Sequence, residues 1–137
     1  MMNKTTINSL KYLITAVLLL TACDFSYNKK LGNSNYYIGW VNGKEYTTLY
    51  FGNENGQEGI MEARVTDVYW NDQYILAKQC KLHSNEVVGY YIFKIVKYGK
   101  EKATKNRIGP LSKKEYDRTK VKLQLNESTM NHINIFD

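Results

Sequence analysis

The run VVGYYIFKIVKY at positions 87–98 constrains this chain more than any other segment. It is nearly free of polar residues on both alternating faces, and valine, isoleucine and aromatic residues, all enriched in strands, dominate it. A buried helix competes for any continuous apolar stretch, but the β-branched and aromatic content favours a strand. Such a strand must be covered on both faces. The sequence therefore predicts a layered, sheet-based fold with this segment inside.

Two hairpins are expected before it. In NYYIGWVNGKEYTTLYF, 35–51, aromatic and β-branched runs flank Asn42-Gly43, the favoured pair for a two-residue type I′ turn because both positions take positive φ. The first arm would send Tyr36, Ile38 and Trp40 to one side and Tyr37, Gly39 and Val41 to the other. GNENGQEG, 52–59, has three glycines and no apolar residue and reads as a surface loop. The second hairpin, IMEARVTDVYWNDQYILAKQC at 60–80, is expected to turn at Asn71-Asp72. Met61, Ala63, Val65 and Tyr69 would then share one face of its first arm, opposite Glu62, Arg64 and Thr66.

After the apolar run, GKEKATKNRIG at 99–109 reads as a charged, flexible connection. In GPLSKKEYDRTK, 109–120, Ser112 and Glu115 form a capping box in which each side chain satisfies the other's backbone N–H. Leu111 before the cap and Tyr116 in the first turn are placed for a hydrophobic staple. A helix is thus expected from about Lys113 to about Thr119, followed by a last strand through Val121, Leu123 and Leu125, and then a fraying tail. The fold class is α+β and mostly β: an antiparallel meander sheet of about five to six strands with one short C-terminal helix. Twelve tyrosines and a single proline in the chain agree with a β-rich globular domain. The domain itself would occupy 36–126, with a tether at 23–35 and a flexible tail at 127–137.

The first 22 residues divide as a signal peptide does, with Lys4 and Lys11 in a basic start and an apolar run at 12–20. That run falls well short of the roughly 20 residues a membrane-spanning helix needs. Leu20-Thr21-Ala22-Cys23 resembles the lipobox of bacterial lipoproteins. The resemblance implies that Cys23 carries a diacylglycerol and an N-acyl lipid and is the first residue of the mature chain. It also implies a protein held at the cell membrane or outer membrane on its extracytoplasmic side, periplasmic or surface-facing. The physics agrees, since each buried methylene contributes about 0.8 kcal/mol and stable anchoring takes two acyl chains. Two alternatives stay open: an ordinary secretory signal with Cys23 beside the cut, or a disulfide between Cys23 and Cys80. Acylation would leave Cys80 alone, with no disulfide framework, and stability would rest on the core, for which residues 23–137 are long enough.

Behind that lipobox, VYWNDQYILAKQ at 68–79, the tyrosine-rich strand and GPLSKKEYDR at 109–118 together resemble small bacterial lipoproteins of the domain-of-unknown-function family 3997 type. The resemblance spans 36–125. It implies a compact, sheet-rich lipoprotein domain and brings no active-site residue with it.

Reactive chemistry finds little support. The two histidines, His83 and His132, lack metal-ligand spacing, and no Cys-x-x-Cys occurs, so neither a metal nor another cofactor is expected. Cys80 with His83 could form a thiolate pair, yet a cysteine ending an apolar run reads as a small buried hydrophobe. Glu62 and Asp67 could act on a glycan as paired carboxylates, but their odd spacing on a strand sets them on opposite faces. What remains is a surplus of Tyr and Trp. Trp40, Tyr50 and Trp70 are the expected surface contacts, for a protein partner or a glycan.

Charge is uneven. Between 51 and 75 lie Glu54, Glu58, Glu62, Asp67 and Asp72 against one base, Arg64, whereas 94–122 holds eleven bases and three acids. This bipolarity suits electrostatic complementarity with a partner or with anionic headgroups. A signal that leads out of the cytoplasm argues against nucleic acid. The expected function is a membrane-anchored, non-enzymatic, protein-binding domain, with an immunity or inhibitor protein as its specific form. A glycan or cell-wall binding module is the alternative, and an enzyme of unfamiliar type the third reading.

Overall fold

A computed structural model describes residues 26–137; the signal segment, the lipobox and Cys23 lie outside the described residues. Among these residues nine strands form two antiparallel sheets. Strands β1 (Tyr27–Lys30), β2 (Tyr36–Trp40), β3 (Thr48–Asn53) and β4 (Gly56–Gly59) make a four-stranded meander in that order. The second sheet has five strands, β5 (Val65–Trp70), β6 (Tyr74–Cys80), β7 (Val87–Lys94), β8 (Arg107–Leu111) and β9 (Asn131–Asn134), in the spatial order β8-β7-β6-β5-β9. Two helices complete the fold, α1 (Lys100–Lys105) and α2 (Lys113–Lys122). The mostly β, antiparallel reading holds, with the strands shared between two sheets and one more helix than expected.

The segment at 87–98 behaves as its composition requires. On one face of β7, Tyr91 and Phe93 pack with Ile75 and Ala77 of β6 against Tyr36, Ile38, Leu49 and Phe51 of the first sheet. On its other face Ile92 joins Leu76 under Tyr116 of α2. The molecule thus has three layers, sheet on sheet on helix, and β7 lies in the middle one. Gln79, buried among these residues, accepts a hydrogen bond from the Tyr91 hydroxyl at 2.9 Å and donates one to the Ala63 carbonyl at 2.8 Å. Its amide is thereby satisfied on both sides, which a buried polar group requires.

Helix α2 begins where the sequence places it. The Ser112 side chain accepts from the Glu115 N–H, and the Glu115 carboxylate accepts from the Ser112 N–H at 2.9 Å. Leu111 and Tyr116 meet in the same apolar cluster. The helix runs on to Lys122, however, and no strand follows at 121–125. Gln124, with φ of 55°, reverses the chain, and Leu123 and Leu125 then pack beneath the helix.

Several other expectations are corrected. Tyr36 pairs with Phe51 and Gly39 with Thr48, so Asn42-Gly43 is part of a longer connection that includes a 3-10 turn at Lys44–Tyr46. Asn42 and Gly43 do take positive φ. The register differs from that of a two-residue turn by an even number of residues, which keeps each side chain on its expected face. The stretch 52–59 is a hairpin, closed by Asn53 opposite Gly56. The expected connection at 99–109 contains α1 and most of β8, with Ala103 fully buried. The tether expected at 23–35 includes β1, paired with β2, and Leu31 in the core. The expected tail at 127–137 supplies β9, which pairs with β5 from Asp67 opposite Asn134 to Trp70 opposite Asn131. Ile135 then enters the core.

Candidate functional site

The three expected contact residues do not stay together. Trp40 and Tyr50 line one cleft of about 280 Å³ with Tyr27, Asn28, Val41 and Gln57. Its volume is near the lower limit for small-molecule sites. Tyr27 and Trp40 stack at 4.5 Å between ring centroids and 21° between planes. Asn28 Nδ2 donates to Gln57 Oε1 at 2.8 Å, linking β1 to β4 across the outer face of the sheet. Glycines permit this curl, since a Cβ on Gly39 would sit 2.2 Å from the Tyr27 carbonyl oxygen. Tyr50 is half-buried, and that burial pushes its pKa up.

Trp70 is elsewhere, 7% exposed in the core between the sheets, with Lys29 Nζ 5.4 Å from the ring centroid. A bulge explains the correction. The pairing of β5 with β6 shifts between Val65 and Asp67, and one extra residue reverses the alternation that follows. Val68 and Trp70 therefore point inward with Val65, while Tyr69 turns to the helix side. The lipobox residues Leu20, Thr21, Ala22 and Cys23 lie outside the described residues.

Cys80 is 2% exposed, its sulfur 3.7 Å from Thr66 Oγ1. His83 Nδ1 stands 3.7 Å from Glu45 Oε2. The sulfur and the ring thus face different neighbours. Glu62 is exposed, whereas Asp67 faces His132 and Lys78. Among the described residues no three of His, Cys, Asp and Glu are grouped as metal ligands, and no helix is long and apolar enough to cross a membrane.

A small pocket beneath α2, floored by Leu76 and Ala77 and carrying several polar groups, is the feature that sequence reasoning misses. Asp67, Tyr69, Lys78, Tyr90, Lys113, Tyr116 and Glu127 line about 130 Å³ between the outer face of the second sheet and the helix, room for a few waters only. At its margin His132 Nε2 lies 2.9 Å from Asp67 Oδ1, and the imidazole stacks on Tyr69 at 4.1 Å. Tyr116 donates to Glu127 at 2.7 Å and Lys120 Nζ does so at 2.8 Å. No local signal marks these groups, because Asp67 and His132 are 65 residues apart and meet only when β9 pairs with β5.

Burial pushes the Tyr116 pKa far up, and the hydrogen bond to Glu127 acts in the same direction. Burial also raises Glu127, but hydrogen bonds from Lys120 and Tyr116 with the charges of Lys120 and Lys113 outweigh it, leaving that carboxyl below its ordinary 4.5. A depressed folded-state value contributes stability above the unfolded value that is lost as pH falls through the folded one. The Glu127→Gln variant is therefore expected to melt below the parent at neutral pH, and the gap to close as the pH falls below 4.5 and through the depressed folded-state value. Thermal melts of both proteins across that range check it; a gap independent of pH would show that Glu127 contributes nothing through its charge.

The basic segment forms the remaining feature. Strand β8 ends the second sheet, with α1 before it in the chain and α2 after it. Four of its lysines have carboxylate partners: Lys100 with Glu58, Lys105 with Glu101, Lys113 with Asp117, and Lys120 with Asp117 and Glu127. Lys94, Lys97, Lys102, Lys114, Arg118 and Lys122 are exposed and have no ion-pair partner among the described residues. Ile108 on β8 is exposed between them.

A family model described as "Protein of unknown function (DUF3997)" matches residues 33–133. The chain belongs to this family. The matched span runs from just before β2 into β9, so it includes Trp40, Tyr50 and the Asp67–His132 pair, and leaves out the lipobox and β1, with the Tyr27 and Asn28 side of the cleft. No curated protein and no solved structure matches the chain. Membership in the family carries only that description and assigns no chemistry to any residue.

Proposed function

We propose that this chain is a lipid-anchored, extracytoplasmic, non-enzymatic domain that binds an acidic protein partner, in the manner of an immunity or inhibitor protein. The observation that supports it is the basic segment: the terminal strand β8 is flanked in the chain by helices whose Lys102, Lys114, Arg118 and Lys122 are exposed and have no ion-pair partner among the described residues. An edge strand offers main-chain hydrogen bonds to an added strand, and the surrounding charge speeds association with an acidic surface and selects for it. Leu20-Thr21-Ala22-Cys23 supplies the attachment to the membrane.

The test has two arms. Replacing Cys23 by serine is expected to move the protein from the membrane to the soluble fraction. Cross-linking in intact envelopes from a photoreactive residue at Ile108 is expected to capture a partner whose binding weakens steeply with salt, and charge reversal at Lys114 and Lys122 should lose it. Retention of the serine variant on membranes would overturn the anchor; salt-independent capture, or none, would overturn the acidic partner. A second reading, a glycan-binding module, draws on the stacked Tyr27 and Trp40 beside the Asn28 and Gln57 amides. Quenching of tryptophan fluorescence by cell-wall fragments would favour it over the protein partner.

A further inference from the structure

We infer that the end of the first sheet where β1 begins is seated on the phospholipid surface that holds the Cys23 lipid. The inference rests on the proposed anchor and adds an orientation to it. Tyr27 is four residues after Cys23, and an extended chain gains at most about 3.6 Å per residue. The start of β1 therefore lies within about 14 Å of the acylated residue, which sits at the bilayer surface.

What the fold displays at that end fits the interface. Tyr27 pairs with Trp40, the last residue of β2, so the chain enters where the β2–β3 connection leaves. That connection exposes Val41, at 58%, and Tyr46. Glu45 ties it to the loop at 81–86 by accepting the His83 N–H at 2.9 Å, and this second loop exposes Leu82. Glu45 also lies 2.9 Å from Arg64 Nε, and the Arg64 guanidinium covers the half-exposed ring of Phe136 at 3.8 Å. Apolar side chains far apart in sequence are thus gathered beside the anchor. Tryptophan and tyrosine favour the headgroup level because one part of the ring is apolar and the other polar. The acyl chains on Cys23 suffice for attachment, and the protein contact sets the orientation. In this orientation the stacked Tyr27 and Trp40 face headgroups.

The full-length acylated protein, carrying Trp70→Phe so that Trp40 is its one tryptophan, should be placed in phosphatidylcholine vesicles containing phospholipid brominated in the upper acyl chain. Trp40 fluorescence is expected to fall by half or more, and Val41→Asp with Leu82→Asp should relieve the quenching while the protein still floats with the vesicles. As the Trp70 change alters the core, hydroxyl-radical footprinting of the unaltered protein provides an independent reading: Val41, Tyr46 and Leu82 should be labelled in detergent and protected on vesicles. Unquenched Trp40 together with unprotected loops on floating protein would overturn the seat and leave the anchor standing. Quenching of Trp40 by a soluble saccharide but not by brominated lipid would give the cleft to a glycan and overturn it too. Failure of the protein to float would instead remove the anchor reading itself.

Discussion

The Phe93→Ala variant is expected to lose about 3–5 kcal/mol of stability, read as a lower denaturant midpoint with an unchanged transition slope. Phe93 is fully buried, opposite Ile75 on β6, in the cluster that joins the two sheets. Both sheets surround the ring, so neither can close the space without moving a whole layer, and the cost includes a cavity as well as lost transfer energy. For a domain whose total stability is about 5–15 kcal/mol, a loss of this size removes a large part of it. Its chain neighbour Ile92 makes the comparison informative, because it is equally buried but faces α2. Trimming it to valine should cost only about 0.5–1.5 kcal/mol. A Phe93→Ala loss below about 1 kcal/mol would mean that the sheets do not pack on one another at this ring.

These two neighbours show where the fold is legible in the sequence. The run at 87–98 states its own burial, because apolar residues occupy both alternating faces. The start of α2 is equally plain, since Ser112, Glu115, Leu111 and Tyr116 act on one another within a single turn. The hairpin of β5 and β6 is legible for the same reason: Asn71 Oδ1 accepts the N–H groups of Gln73 and Tyr74 at 2.8 Å each, a local turn one position along from Asn71-Asp72.

What cannot be read locally is what distant segments decide. Asn131–Asn134 is polar and short, and it becomes a strand because β5 presents a free edge to it. Lys44–Tyr46 leaves the expected tight turn where Glu45 reaches Arg64 and His83. Val121, Leu123 and Leu125 alternate as a strand would, yet the helix continues and the reversal at Gln124 brings the two leucines under it. The functional residues divide in the same way. Trp40 and Tyr50 reach one cleft because pairing within the first meander brings their elements together, whereas the bulge at 65–67 takes Trp70 inward. The Asp67–His132 pair could not have been anticipated without β9.

Gly39 should tolerate no side chain, and Gly59 should tolerate one. A Cβ built on Gly39 would stand 2.2 Å from the Tyr27 carbonyl oxygen and 3.1 Å from the Asn28 Cα. Both obstacles are backbone of the neighbouring strand, so no rotamer change relieves them. In the Gly39→Ala variant β1 has to part from β2, at a cost of about 1–3 kcal/mol or more. Gly59, at the end of β4, has nothing within 4 Å of its Cβ position, and Gly59→Ala should be neutral or stabilising by about 0.4–1 kcal/mol through the unfolded chain. Hydrogen exchange separates the two outcomes, since Gly39→Ala should speed exchange of the amides in β1 and β2 while those in the second sheet keep their protection. The same change separates Tyr27 from Trp40, so tryptophan emission should shift to the red as the stack opens to water. Equal stability of the two alanine variants would mean that β1 does not close over Gly39, and with it would go the curled sheet that forms the Trp40 cleft.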